Sequence, residues 1–233
     1  MDTLSPIRSA SSLPPRVTPL RFVALGDSLI YGYGDPDGGG WVERLRRQWM
    51  QMDSAGHVMY NLGVRGDGVQ QVMHRLEGEF RCRGELRHRV PDCIILSVGV
   101  NDSCRVGRAG GRAFTPFDRF QQDISDLIHQ AQQLCPVLFV GMTPVDEAAM
   151  PFADCLYYAQ ADQHQYNDAV RQACAARGIS HLDLFNRWLS RGELWWRSRL
   201  SSDGLHPNAL GYEALLQDVL AWDNFAALLK PLS

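Results

Sequence analysis

Two residues near the end of the chain have the types and spacing of a catalytic base and its orienting acid. Asp203 lies three residues before His206, in the segment DGLHP at 203–207. A compact turn of this length can fold the carboxylate onto the imidazole ring, fixing its tautomer and stabilising its protonated form. A serine nucleophile needs such a base, because a free hydroxyl group is a poor nucleophile at neutral pH. The alternative interpretation of this segment is a capping arrangement before a last helix.

The candidate nucleophile is Ser28, in the segment GDSL at 26–29. The preceding run LRFVAL at 20–25 has the composition of a strand, and Gly26 permits a tight turn at its end. The hydroxyl group of Ser28 would then face the strand ends, close to backbone N–H groups that can meet an anion. A serine directly after a strand is more often a helix cap, so the assignment of Ser28 depends on the other motifs.

Two further segments carry candidate hydrogen-bond donors for an oxyanion. Gly63 follows the apolar run at 57–62, where its N–H could donate to a closely approaching ligand or where it could simply form a turn. Asn101 follows the run DCIILSV at 92–98, and its amide could face developing negative charge or start an Asx turn. The neighbouring carboxylates of Asp27 and Asp102 are predicted to be structural and to bond loop N–H groups.

Strand and helix patterns alternate along the chain, and the polar motifs follow strands. Apolar runs predict strands at 20–25, 57–62, 92–98, 136–142 and 179–184. Helices are predicted at 41–52, at 69–80, from Thr115 (N-cap) and Pro116 (first helical residue) onwards, at 163–177 and at 208–229. This alternation predicts an α/β fold with a mostly parallel five-stranded sheet and helices on both faces. Such sheets carry their sites at the carboxyl ends of the strands.

The composition is that of a globular protein, with 45% hydrophobic residues, 21% charged residues and a formal charge of −3 over 233 residues. We expect a flexible tail at 1–19 and a single domain at 20–233. The charge provides no field that would attract nucleic acid. No segment has the apolar run of a secretory signal or of a bilayer span, so we expect no integral membrane contact. Six scattered cysteines without CxxC spacing favour reduced thiols and a cytoplasmic location.

The four motifs together resemble those of the GDSL/SGNH hydrolase family. GDSL at 26–29, the glycine at 63, GVND at 99–102 and DGLHP at 203–207 occur in the order of that family's sequence blocks. The resemblance implies a flavodoxin-like three-layer α/β/α fold, with Ser28 as nucleophile and with His206 as the base that Asp203 orients. It also implies an oxyanion hole formed by the N–H groups of Ser28 and Gly63 and by the side-chain amide of Asn101.

This resemblance implies a serine esterase that cleaves carboxylic esters or thioesters of a small-molecule substrate through an acyl-enzyme. A carbohydrate acetylesterase or acyltransferase with the same triad is the first alternative. A non-catalytic binding module on this fold is the second, because a fold alone does not imply activity. The sequence has no HExxH motif and no paired Cys/His spacing, so we expect no metal or other cofactor. It leaves the oligomeric state open.

Aromatic residues near the motifs are candidates for the substrate pocket. Phe152 and Tyr157 follow the fourth predicted strand, and Trp195 and Trp196 precede Asp203. These side chains could line an acyl pocket, or they could pack in the core, as aromatic residues near a catalytic loop often do. Two arginines, Arg65 and Arg105, follow the oxyanion segments and could contact a charged leaving group, but the favoured interpretation of both is surface solubility.

Overall fold

A parallel five-stranded sheet forms the centre of the molecule. The structure is a computed structural model and describes residues 18–51, 55–83 and 90–230, so the predicted tail lies outside the described residues except for its last two. The strands of the sheet are β1 (Arg21–Gly26), β2 (Val58–Gly63), β3 (Cys93–Ser97), β5 (Val137–Val140) and β7 (Ser180–Leu182). Their spatial order is β2-β1-β3-β5-β7, and every pairing is parallel, which confirms the predicted sheet.

Alternating side chains of β1 build two separate cores. Val23 and Leu25 face one layer of helices, whereas Phe22 and Ala24 face the other, and all four are fully buried. Because both faces of a parallel sheet are covered, its strands are continuous apolar runs. The first layer contains α3 (Val69–Cys82), α4 (Phe117–Gln132) and α5 (Gln160–Ala176). The second contains α2 (Gly40–Trp49), α6 (Leu184–Leu189), α7 (Glu193–Arg197), α8 (Ala209–Leu220) and α9 (Asp223–Leu228). The three-layer α/β/α fold is therefore confirmed.

The strand order reverses direction at β1, which has β2 on one side and β3 on the other. Doubly wound sheets bind ligands in the crevice outside the carboxyl ends of the strands at such a point. Gly26 at the end of β1 approaches β3 so closely that a Cβ atom there would lie 1.9 Å from the carbonyl oxygen of Ser97. The loops that follow β1 and β3 therefore open side by side, and α1 (Ser28–Tyr31) starts in the first of them.

Three local features differ from the sequence-based expectations. Helix α4 begins at Phe117 with Pro116 as N-cap, because Thr115 is buried and its hydroxyl donates to Asp102 at 2.7 Å instead of capping the helix. The predicted last helix is two helices, α8 and α9, because Trp222 between them has an extended backbone and packs into the second core. A small antiparallel pair was also missed, β4 (Arg105–Val106) with β6 (Leu156–Tyr157), since two-residue strands leave no periodic pattern.

All six cysteines are free thiols, of which Cys82 and Cys155 are exposed and the others are buried or half-buried. Within the described ranges, no helix is long and apolar enough to cross a membrane.

Candidate active site

Residues from opposite ends of the chain meet at the carboxyl edge of the sheet. The hydroxyl oxygen of Ser28 lies 2.9 Å from Nε2 of His206, and Nδ1 of the same ring lies 2.7 Å from Oδ2 of Asp203. Ser28 is the first residue of α1, directly after β1, and the other two lie in the loop before α8. Ser28 and His206 are both buried. The structure thus brings together the three residues that the sequence motifs proposed as a triad.

The turn at 203–206 holds the carboxylate against the imidazole. Oδ1 of Asp203 accepts hydrogen bonds from the N–H groups of Leu205 (2.9 Å) and His206 (3.0 Å), and Gly204 supplies the left-handed residue of the turn at φ +67°. The alternative of a helix cap does not apply, because Asn208 caps α8. Burial favours the neutral acid, but the hydrogen bonds from the His206 ring and from the two N–H groups outweigh it and hold the pKa of Asp203 below its ordinary value. Asp203 is therefore ionised at neutral pH.

Asn101 presents its side-chain amide to the same cleft as Ser28. Its Nδ2 donates to the carbonyl oxygen of Asp67 at 2.9 Å, and its Oδ1 accepts a hydrogen bond from the hydroxyl group of Tyr158 at 3.2 Å. These two contacts fix the plane of the amide. An amide nitrogen carries two hydrogens, so one N–H remains available for an oxyanion.

Gly63, which was predicted as the third donor, does not lie at the cleft. The N–H of Gly63 donates to Oδ1 of Asn61 at 3.1 Å, and a Cβ atom at Gly63 would lie 2.1 Å from the backbone nitrogen of Tyr31. Gly63 therefore packs β2 against α1 and does not line the cleft. Gly66, three residues later, does line it with Ser28, and its N–H has no acceptor among the residues that the structure describes. A second glycine in the same loop was the available sequence signal.

One arginine on α3 connects the segments that carry these donors. The guanidinium of Arg75 donates to the carbonyl oxygens of Gly26 and Leu62, at the ends of β1 and β2, and to Oδ2 of Asp67, each at 2.8 Å. The carbonyl oxygen of Asp67 is in turn the acceptor that orients Asn101. Arg75 thus fixes the nucleophile loop, the Gly66 loop and the Asn101 amide relative to one another. No sequence motif marks Arg75, so its role was not predictable from the sequence.

The cleft over Ser28 and His206 encloses about 290 Å³. Phe152 lines it as predicted, with its ring centroid 5.4 Å from that of His206. Tyr157 does not, because it pairs with Arg105 in the β4–β6 ladder, and its neighbours Leu156 and Tyr158 line the cleft in its place.

The paired tryptophans also lie away from the cleft. Trp196 is buried in the second core. Trp195 packs edge-on against Trp188, with ring centroids 5.5 Å apart, and the guanidinium of Arg199 covers its face at 4.1 Å. Trp195 and Trp196 therefore do not line this cleft. Their aromatic surface is used in packing, which was the alternative interpretation.

The buried carboxylates of Asp27 and Asp102 lie next to Ser28 and Asn101 in the chain and, as predicted, accept hydrogen bonds from backbone N–H groups. Oδ1 of Asp27 accepts from Leu29 at 2.9 Å, and Oδ2 of Asp102 accepts from Val69 at 3.0 Å. Burial raises the pKa of Asp27 to about 7 and that of Asp102 to about 6. Oδ2 of Asp27 has no hydrogen-bond partner among the described residues, so nothing there compensates a negative charge on that oxygen.

These raised pKa values predict that Asp27 and Asp102 each contribute a decrease in stability as pH rises. An unfolded aspartate has a pKa of about 4. Between about pH 4 and the folded pKa of about 7, the folded protein therefore binds more protons at Asp27 than the unfolded chain does, and the free energy of unfolding decreases by up to about 1.4 kcal/mol per pH unit. The Asp27→Asn variant keeps the acceptor for Leu29 but cannot ionise, so we expect a smaller slope in urea unfolding between pH 5 and pH 8.

The matched control is Asp37→Asn, at an exposed carboxylate, which should keep the wild-type slope. Equal slopes for wild type and Asp27→Asn would show that burial does not hold a proton on Asp27.

No group of three or more His, Cys, Asp or Glu side chains is arranged to hold a metal ion in residues 18–51, 55–83 and 90–230.

Comparisons with known proteins identify the family and agree with the fold. The model of the GDSL-like Lipase/Acylhydrolase family matches residues 24–214. Platelet-activating factor acetylhydrolase IB subunit alpha1 of Homo sapiens is 27% identical over 221 residues, which are 90% of this chain and 81% of the relative. A lipase/acylhydrolase from Enterococcus faecalis has a TM-score of 0.71 at 21% identity, covering 92% of this chain and 99% of that one. An acetyl xylan esterase from Geobacillus stearothermophilus has a TM-score of 0.68 at 16% identity, covering 94% and 100%. The chain belongs to the GDSL-like Lipase/Acylhydrolase family, and it is a hydrolase that acts on ester bonds.

Proposed function

We propose that this protein is a serine esterase that cleaves carboxylic esters of small acyl groups through an acyl-enzyme on Ser28. The observation that carries the proposal is the continuous hydrogen-bonded chain from Asp203 through His206 to Ser28, with contacts of 2.7 and 2.9 Å. A serine next to a base that a carboxylate orients is the arrangement required for nucleophilic catalysis.

In the first half of the reaction, Nε2 of His206 removes the proton of Ser28 while Oγ attacks the ester carbonyl carbon. Ionised Asp203 stabilises the imidazolium that forms. The N–H groups of Ser28 and Gly66 and the free amide N–H of Asn101 are the proposed donors to the oxyanion. As the tetrahedral intermediate collapses, the C–O bond to the alcohol breaks, and the alcohol leaves with the proton from His206.

In the second half, water replaces the alcohol. His206 removes a proton from the water molecule, whose oxygen attacks the acyl-enzyme carbonyl, and the same donors hold the second oxyanion. The proton then passes to Oγ of Ser28 as the carboxylic acid departs. Each half thus returns His206 to its neutral form, so no external acid or base is consumed.

The shape of the cleft supports a small acyl group. Its volume of about 290 Å³ lies at the lower end of the range for ligand pockets, and Phe152, Leu156 and Leu205 give it an apolar wall. The relative from Homo sapiens is named an acetylhydrolase, and the structural neighbour from Geobacillus stearothermophilus is an acetyl xylan esterase. Both names refer to acetyl esters.

A chain-length series tests this proposal. We expect kcat/KM for 4-nitrophenyl esters to be highest between acetate and butyrate and to fall by about tenfold or more at octanoate and palmitate, because longer chains exceed the cleft. A maximum at octanoate or beyond would contradict the small-acyl proposal. The second candidate, a carbohydrate acetylesterase, follows from the acetyl xylan esterase neighbour. It predicts faster release of acetate from acetylated xylooligosaccharides than from 4-nitrophenyl acetate at equal concentration.

A further inference from the structure

Among the residues that the structure describes, one arginine lines the active-site cleft next to the nucleophile and the base. Arg65 lies in the loop between β2 and α3, directly before Gly66, and its side chain is exposed. It borders the same cavity as Ser28 and His206, whereas the apolar wall is formed by residues from other segments. The cleft therefore has a charged side and an apolar side.

The position of the guanidinium is fixed by an aromatic ring. Cζ of Arg65 lies 3.8 Å from the centroid of the Tyr33 ring, within the range of a cation–π contact. The Tyr33 ring is in turn 4.5 Å from the His206 ring. The backbone of Tyr33 is held by its N–H, which donates to Ser28 at 3.1 Å, and by its carbonyl oxygen, which accepts from the hydroxyl group of Tyr212 at 2.9 Å. The charge thus has a defined place relative to the nucleophile.

Arg65 forms no ion pair with any carboxylate in the described parts of the chain. The nearby acids are engaged elsewhere, since Asp67 pairs with Arg75 and Asp203 pairs with His206. Arg105, the other arginine that follows an oxyanion segment, is different, because Asp162 binds it through two contacts of 2.7 Å. Stacking uses only the face of a guanidinium, so the N–H donors on the edge of Arg65 remain free.

We propose that Arg65 makes this enzyme selective for esters that carry an anionic group, a carboxylate or a phosphate, close to the ester bond. The inference rests on the proposed function. An anion on the substrate would form charge-assisted, bidentate hydrogen bonds with the free edge of the guanidinium while the carbonyl carbon lies over Ser28. Arg65 is thus assigned as a specificity-determining residue, distinct from the groups that perform the chemistry.

Two matched pairs of esters test the proposal. The anionic group lies on the alcohol side of the ester bond in the first pair and on the acyl side in the second. The first pair is 4-acetoxybenzoate and its methyl ester, and the second is 4-nitrophenyl hydrogen glutarate and 4-nitrophenyl pentanoate. For at least one pair, we expect wild type to prefer the anionic member in kcat/KM. Arg65→Gln should lower kcat/KM for that member by about tenfold or more and change the neutral member less than about twofold. Arg65→Lys should keep part of the preference, and added salt should weaken it.

The control is Arg81→Gln, an exposed arginine on α3 that does not line the cleft. It should leave both pairs unchanged. Equal losses on the anionic and neutral members in Arg65→Gln, or no anionic preference in wild type for either pair, would overturn the role of Arg65 while leaving the esterase intact.

A binding measurement separates this outcome from failure of the proposed function. In the Ser28→Ala background, isothermal titration should show tighter binding of the anionic member, and adding Arg65→Gln should remove the difference. If neither pair were hydrolysed by wild type while this binding preference was present, the proposed chemistry would fail and the anion site would stand. Equal binding of both members would reject the anion site independently of turnover.

Discussion

Ser28→Ala is expected to lower kcat for 4-nitrophenyl acetate by about 10⁴-fold or more, since no acyl-enzyme can form without the hydroxyl group. Within the described parts of the chain, the side chain of Ser28 makes one hydrogen bond, to His206, while the contacts of its backbone carbonyl remain in the variant. We therefore expect a folded protein with a melting temperature close to that of wild type. The measurement combines steady-state kinetics with intact-mass detection of a fluorophosphonate adduct, which wild type should form and the variant should not.

Ser190→Ala is the matched control for this experiment, because Ser190 is an exposed serine whose hydroxyl group donates to the carbonyl oxygen of Arg187. It should keep full activity and full labelling. If Ser28→Ala retained activity within about tenfold of wild type, or if the adduct formed on another residue, Ser28 could not be the nucleophile.

Asn101→Ala is expected to lower kcat by about 10²-fold to 10³-fold with little change in KM, because an oxyanion donor acts mainly in the transition state. The same substitution removes the contacts of Asn101 with Asp67 and Tyr158, so a loss of structure must be distinguished from a loss of the donor. Tyr158→Phe makes that distinction. It deletes one contact that orients the amide but leaves the amide in place, and we expect it to lower kcat by less than about tenfold.

If Asn101 is only structural, Asn101→Ala and Tyr158→Phe should have similar effects on kcat. In that case Asn101→Ala would lower the melting temperature and would affect kcat no more than Tyr158→Phe does. A fall in kcat of two orders of magnitude, together with binding of substrate that resembles wild type, requires the amide to act on the reacting oxygen.

The sheet could be predicted from the sequence because its strands are covered on both faces. Burial on both sides makes each strand a continuous apolar run, and that pattern is local. The meeting of Asp203 with His206 was predictable for the same reason, since a turn of three residues needs no knowledge of the rest of the fold. Ser28 was predictable as their partner because the carboxyl ends of parallel strands, and the loops that follow them, lie at the same edge of the sheet.

The features that the sequence did not reveal depend on contacts between distant segments. Gly63 ends β2 and Gly66 lies in the loop that follows, and only the packing of Gly63 against Tyr31 shows which of them lines the cleft. Trp195 and Trp196 are near Asp203 along the chain, but in α7 the side chain of Trp196 packs in the second core and that of Trp195 packs at its edge. The break between α8 and α9 follows from burial of Trp222, which leaves no local sign in a helical pattern.

The Arg75 contacts have a consequence for local unfolding around the site. One guanidinium bonds the ends of two strands and the carboxylate of Asp67, so the segments that carry the proposed oxyanion donors share an anchor. Separate loops would each exchange between open and closed forms with their own free energies. Loops that share an anchor open together when that anchor is lost. We therefore expect the backbone amides of these segments to exchange with solvent as one cooperative unit.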